Sequence, residues 1–304
     1  MSVRRALRGC AVGAVLLLIA LAFTVVPSIA AGGLLHPIRV ALYSRAPQGC
    51  VDRAFTGDGL TLRGWYCAAR GERHGSVVYL HGVADNRSSA VGVIEWFTPR
   101  GFDVIAYDSR AHGQSAGTVC TYGFYEKRDL KGVIDSVSPG PILVMGHSLG
   151  AAVAIQGAAV DDRITGVIAA EAFSDLRTIA TERAPWFLPR PLIARAFRVA
   201  EEQGHFDADA VNPAAAAASL RIPVLLIHGA NDVDTRPDHS RRILVALKGP
   251  KQLLLVPGAG HNQSLNNPVA WAEIERWLSY ATMLPPCRTS LQTSSVNCGR
   301  SRLN

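Results

Sequence analysis

Charge is scarce in this chain and never concentrated. Only 18% of its 304 residues are charged, and no block of five like charges occurs. The formal net charge of +7 therefore makes no basic patch of the kind that grips nucleic acid. Lysine is nearly missing: Lys127, Lys131, Lys248 and Lys251 stand among 31 basic residues, an arginine bias that reflects a GC-rich genome rather than chemistry. Glycine, at 28 residues, is far below the one in three of a collagen-like chain. No internal repeat of 20–50 residues occurs, no His-Glu-x-x-His zinc motif, and no Gly-x-Gly-x-x-Gly after a strand. Nothing here implies a metal or a cofactor. What is plentiful is apolar side chain, 48% of residues, which excludes a disordered chain. The length allows one large or two medium domains with a sizeable core.

The N-terminus carries Arg4, Arg5 and Arg8 and no acid, then seventeen uncharged residues from Cys10 to Val26. The apolar stretch continues past Pro27 to Leu35. Two readings fit. A membrane anchor needs about 20 apolar residues, and a signal peptide needs small residues at its cleavage site, which Ser28-Ile29-Ala30 supplies. Residues 1–35 are therefore expected to be a single-pass anchor in the cell membrane, with everything after residue 35 outside, or else a cleaved signal with a secreted product. Residues 36–49 read as a linker, 50–284 as one catalytic domain and 285–304 as a Ser/Thr/Arg/Asn-rich tail.

Past residue 50 a hairpin is expected. Residues 51–56 and 60–67 flank Gly57-Asp58-Gly59, a strong turn signal. If Asp58-Gly59 are the loop, paired residue numbers sum to 117, which sets Cys50 opposite Cys67 as a non-hydrogen-bonded pair. Such pairs bring Cα atoms to about 4.5 Å, within disulfide reach. A bulge shifting the register by one would instead part the thiols. Five cysteines follow the N-terminal segment, so one is left over. Cys287 and Cys298 are the next most plausible pair, leaving Cys120 unpaired.

Short apolar runs then recur: Val77–Leu80, Val104–Tyr107, Ile142–Met145, Val167–Ala170, Val224–Ile227 and Leu253–Val256. Runs of four or five apolar residues suit strands covered on both faces. Between them residues 88–98, 126–137 and 268–281 show helical spacing. The alternation predicts an α/β fold with a mostly parallel sheet flanked by helices. Residues 176–219, with Pro185, Pro189 and Pro191, break the alternation and read as a helical insertion.

The candidate chemistry lies at strand ends. Gly146-His147-Ser148-Leu149-Gly150 follows an apolar run and precedes a small-residue helix, the strand–turn–helix setting of a nucleophile elbow. A serine nucleophile needs a base, and the base needs an orienting acid. Downstream, Asp232 follows Val224–Ile227 and His261 lies in the glycine loop after Leu253–Val256, in the chain order Ser148, Asp232, His261. Asp234 is the alternative acid. The Leu149 N–H and the Val83 N–H, from the loop His81-Gly82-Val83, are candidate oxyanion donors.

These residues resemble the α/β-hydrolase superfamily over about residues 50–281. The resemblance rests on the His-Gly loop 81–87, on Tyr107-Asp108-Ser109-Arg110-Ala111-His112-Gly113-Gln114-Ser115, on the elbow, on Pro223–Asp232 and on Gly260-His261. Glu171-Ala172-Phe173-Ser174-Asp175-Leu176 and Tyr122–Leu130 resemble segments of the Bem46-like, membrane-anchored branch. The resemblance implies an α/β-hydrolase fold and a structural role for Asp108. Ser at 148 sets the chain apart from the haloalkane dehalogenases and epoxide hydrolases, which place Asp there. The expected activity is a serine hydrolase cleaving a carboxylic ester, thioester or amide of a small-molecule acyl substrate, with an esterase or lipid-directed enzyme as the leading reading. A serine peptidase, or a non-catalytic membrane-tethered binding protein, are the alternatives. Fold alone does not separate them.

Overall fold

The computed structural model describes residues 3–283. The chain opens with helix α1 (Val3–Leu35), followed by a hairpin of β1 (Cys50–Thr56) and β2 (Thr61–Cys67). Then β3 (Gly75–Leu80), α2 (Val91–Phe97), β4 (Phe102–Tyr107), α3 (Glu126–Ile134), β5 (Ile142–His147), α4 (Leu149–Ala158) and β6 (Ile164–Ala170) alternate. Three helices interrupt the alternation: α5 (Leu176–Arg183), α6 (Arg190–Gly204) and α7 (Pro213–Ala217). The chain resumes with β7 (Val224–Gly229), α8 (Asp238–Ala246), β8 (Lys251–Val256) and α9 (Pro268–Met283).

The strands form one sheet in the order β1-β2-β4-β3-β5-β6-β7-β8. The pairs β1–β2 and β2–β4 are antiparallel and the rest parallel. Residues of β3, β4 and β7 are buried along their whole length, as strands covered by helices on both faces must be. One face packs Val78, Leu80, Val144 and Leu226 against α3, α4, α7 and α8. The other packs Tyr79, Val104, Met145 and Ile227 against α2 and α9. Strand order reverses beside β3, whose neighbours are β4 and β5, and in open parallel sheets the crevice at such a point takes the ligand.

The insertion is helical, as expected, and proline and capping residues divide it. Asp175 caps α5 by accepting the Thr178 N–H. Pro189 precedes α6, with Pro191 in its first turn, His205 ends α6 in a left-handed conformation, and Asn212 caps α7. In helix α8 the apolar residues Ile243, Leu244 and Ala246 are confined to its C-terminal half, and its first half buries the polar His239 and Ser240.

The membrane reading of the N-terminus is corrected. No helix among the described residues is long and apolar enough to cross a membrane. The apolar count ran on to Leu35, yet the last turns of α1 serve the protein's own core. Pro27, Ala31 and Leu35 are buried, and Ala31 and Leu35 join a cluster with Phe173, Ile179 and Phe197 of the insertion. The Leu35 carbonyl accepts the Cys120 N–H at 2.8 Å, and the Leu34 carbonyl accepts the Tyr122 hydroxyl at 3.1 Å. Helix α1 continues through Ser28-Ile29-Ala30, whose side chains are exposed. The single-pass localisation and the membrane as a partner through this segment are therefore not supported. Beyond α1 the Arg39 guanidinium donates to the carbonyls of His112, Gly113, Ser115 and Gly117, which fastens this stretch to the body.

The hairpin keeps the arithmetic register. Gly57 N–H donates to the Leu60 carbonyl, Cys50 faces Cys67, and the two are joined by a disulfide with Cα atoms 4.1 Å apart. Cys120 is a free, buried thiol, and burial, with the neighbouring Glu126 carboxylate, pushes its pKa up. Cys287 and Cys298 lie outside the described residues. The disulfide spans 17 positions, and closing a loop of that size constrains the unfolded chain by about 3 kcal/mol. The Cys50→Ala/Cys67→Ala variant should lose about that much stability in urea titration. The wild type treated with reductant should match it.

Candidate active site

β5 delivers Ser148 at its C-terminal end, where the chain must turn at once into α4. Ser148 has φ +50° and ψ −117°, a backbone conformation that non-glycine residues rarely adopt. The neighbours make the turn possible. A Cβ on Gly146 would fall 2.4 Å from the Gly150 carbonyl carbon, and one on Gly150 would fall 2.1 Å from the Leu80 oxygen. Ser148 N–H is satisfied by the Ala170 carbonyl at 2.8 Å. Its side chain is left to project over the sheet.

Asp232 and His261 reach the same place from two other strand ends, β7 and β8. Ser148 Oγ lies 3.1 Å from His261 Nε2, and His261 Nδ1 lies 2.8 Å from Asp232 Oδ2. A carboxylate can only accept, so Nδ1 carries the proton and Nε2 presents its lone pair to the serine hydroxyl. Asp232 is buried, and its Oδ1 accepts the Asp234 and Thr235 N–H groups. Burial alone would raise its pKa. Hydrogen bonds from His228, His261 and the Thr235 N–H outweigh that and hold it well below the usual carboxylate range. Asp234, the alternative acid, has an exposed side chain and contributes its backbone N–H to Asp232.

The loop carrying Val83 is fixed by buried polar groups. Asp108 accepts the Arg87 N–H at 2.8 Å, the Arg87 guanidinium at 2.5 Å and the Gln114 N–H at 2.8 Å. That bears out a structural place for Asp108 between the two loops. His81 is fully buried, which pushes its pKa down to about 3, and the neutral ring accepts the Ser109 N–H at 2.9 Å. Val83 lines the cavities beside Ser148. Leu149 is the first residue of α4, so its N–H has no intrahelical partner.

Glu171 takes a part that spacing along the chain did not reveal. It follows β6 with φ +58° and is buried. Its carboxylate accepts the Asn262 N–H at 2.5 Å and the Ser264 N–H at 3.1 Å, and stands 4.0 Å from His261 Nδ1. It thereby pins the loop that presents the histidine. The signal available was its position just past a strand, in the segment Glu171–Leu176. Glu171, Asp232 and His261 bring potential metal-ligand atoms within 4.8 Å of one another. Both carboxylates are occupied by N–H donors, and the histidine's two nitrogens face Asp232 and Ser148. The donor set fits a hydrogen-bonded relay better than a chelate.

Two cavities of about 430 Å³ each meet at Ser148. One is polar at its rim, with Glu182, Asp234 and Asn262. The other runs under α5 and α6 among apolar side chains. Glu201 pairs with Arg177 at 2.7 Å and accepts the Ala208 N–H. Glu202 is exposed.

A family model described as "Alpha/beta hydrolase family" matches residues 77–274. The uncharacterized protein YqkD of Bacillus subtilis is 31% identical over 216 residues, 68% of this chain and 70% of that one. Human Protein ABHD12B is 22% identical over 238 residues, 71% of this chain and 63% of that one. Among solved structures, the Pyrococcus furiosus esterase Pf2001 superposes with a TM-score of 0.66 at 25% identity, covering 81% of this chain and 99% of that one.

Proposed function

Because the chain belongs to the alpha/beta hydrolase family, we propose that it is a serine hydrolase cleaving a carboxylic ester of a small-molecule acyl substrate through Ser148, His261 and Asp232. The observation that carries this is the unbroken hydrogen-bond chain from Asp232 through His261 to a serine held at positive φ. His261 Nε2 takes the Ser148 proton as Oγ attacks the carbonyl carbon. The Val83 and Leu149 N–H groups receive the charge that develops on the carbonyl oxygen. Asp232 holds the imidazole in the required tautomer and stabilises the imidazolium. The imidazolium then gives its proton to the leaving alcohol. Water, activated by the same histidine, attacks the acyl-enzyme and restores Ser148.

The likeness to an esterase of the same fold supports an ester over a thioester or amide. The segments 171–176 and 122–130 favour the Bem46-like branch. Our expected result with a fluorophosphonate probe is stoichiometric labelling of the wild-type chain and none of Ser148→Ala. A wild-type protein that stays unlabelled while folded would point to a binding protein on the hydrolase scaffold. Labelling that persists in Ser148→Ala would place the nucleophile elsewhere.

A further inference from the structure

The apolar cavity beside Ser148 is not closed by the hydrolase body alone. Its lining includes Ala30, Ala31, Gly33 and Leu34 from the last turns of α1, facing Ile179 and Phe197 of the insertion. These α1 residues lie well outside residues 77–274, the part matched by the family model. They are held firmly. Leu35 is buried, and a Cβ on Gly204 of α6 would come within 2.8 Å of its Cδ2. The Leu34 and Leu35 carbonyls are both bonded to the Cys120–Tyr122 loop. Farther up the helix the Arg195 guanidinium donates to the Phe23 carbonyl at 3.0 Å.

We propose that the C-terminal turns of α1 are a wall of the acyl-binding cavity and set the length of acyl chain the enzyme accepts. This rests on the serine-hydrolase reading of the same site. Ser148 and Leu149 line the inner end of the cavity, so a carbonyl placed for attack sends its acyl chain into this apolar space. The alcohol portion of the substrate then faces the polar rim of Glu182, Asp234 and Asn262. An apolar cavity of about 150 Å³ holds one benzene, so about 430 Å³ holds roughly a dozen to seventeen carbons on the same scale. The substrate class is an ester of a medium-to-long acyl group with a polar alcohol. Each methylene moved from water into the cavity should raise kcat/KM about fourfold until the space is filled.

The test is an acyl series of p-nitrophenyl esters on the full chain, comparing wild type with Gly33→Trp and Ala30→Trp. A Cβ at Gly33 meets nothing within 4 Å, and Ala30 is exposed, so neither change disturbs packed atoms. The ratio of kcat/KM for the dodecanoate ester to that for the butyrate ester should fall at least about tenfold in both variants. A ratio that stays at the wild-type value in both would overturn the proposal while leaving the hydrolase reading intact. Calorimetric titration with dodecanoate separates the two readings in the other direction. If the wild type cleaves no ester, the hydrolase reading fails. Dodecanoate binding weakened about tenfold by Gly33→Trp would then still support the wall, and equal binding would overturn it.

Discussion

Ser148→Ala and His261→Ala should each lower kcat by about 10⁴-fold or more, and the double variant should lose little beyond either. The reason is that the serine and the imidazole act in one proton transfer. Once Oγ is gone, the lone pair on Nε2, 3.1 Å away, has nothing to accept. Asp232→Asn should cost somewhat less, up to about 10⁴-fold. The amide would leave the imidazole in the wrong tautomer, and it would remove the charge that stabilises the imidazolium. It would also set an NH₂ among donors, since Oδ1 and Oδ2 together accept from Asp234, Thr235 and His261. Asp234→Asn should cost far less, because that side chain is exposed and its part is played by the backbone. A crippling Asp234→Asn beside a silent Asp232→Asn would reverse the assignment of the acid. Steady-state kinetics on one ester, with far-ultraviolet circular dichroism to show that each variant is folded, reads all of these.

The second large effect concerns stability and reaches the site indirectly. Asp108→Ala should destabilise the fold by about 3–5 kcal/mol, because it strands a buried guanidinium. Both side chains of the Arg87–Asp108 pair are almost wholly shielded, and they touch at 2.5 Å. Arg87 is further committed to Gln114 and to the face of Trp65, and a second carboxylate partner, the exposed Asp52, lies farther off at 3.4 Å and offsets only part of the loss. Against a typical total of 5–15 kcal/mol, such a loss is severe. Replacing both partners by apolar residues of similar size, Arg87→Met with Asp108→Leu, should recover only the part due to the unpaired charge, since the backbone N–H groups that Asp108 accepts stay unpaired. Activity should not recover in parallel. Asp108 also accepts the Arg87 and Gln114 N–H groups, and without those bonds the Val83 loop loses its fixed position. Urea titrations of the single and double variants, set beside kcat at low denaturant, separate the two effects. A mild loss in Asp108→Ala would mean that the arginine finds water or another partner.

The parts legible in the sequence share a physical cause. Val77–Leu80 and Val224–Ile227 could be read as strands because a strand covered on both faces has no polar positions to spare. Ser148, Asp232 and His261 could be placed because each follows such a run in a glycine-rich turn, and strand ends on one side of a parallel sheet converge. Cys50 and Cys67 could be paired because a two-residue loop leaves a hairpin only one register. What escaped depends on contacts between distant segments. Glu171 meets Asn262 and Ser264 across more than ninety residues, and nothing local marks a glutamate as a clamp. The first half of helix α8 buries His239 and Ser240 against polar partners from distant segments. In α1 the count of apolar residues was right. Their use was not deducible, since Ala31 and Leu35 look the same whether they face lipid or Phe197.

The seating of α1 against the cavity has a bearing on how such a protein diverges. Ser148, Asp232 and His261, the residues proposed to break and form bonds, are tied into strand ends, where any change disturbs several partners at once. The turns at Ala30–Leu34 sit at the margin of the molecule, and Gly33 has open space where a side chain would grow. Drift in those few positions would reshape the cavity while the proton relay stayed untouched. On the proposed reading, catalysis and selectivity would be carried by separately mutable parts, so paralogues could share an intact relay while differing in the molecules they accept.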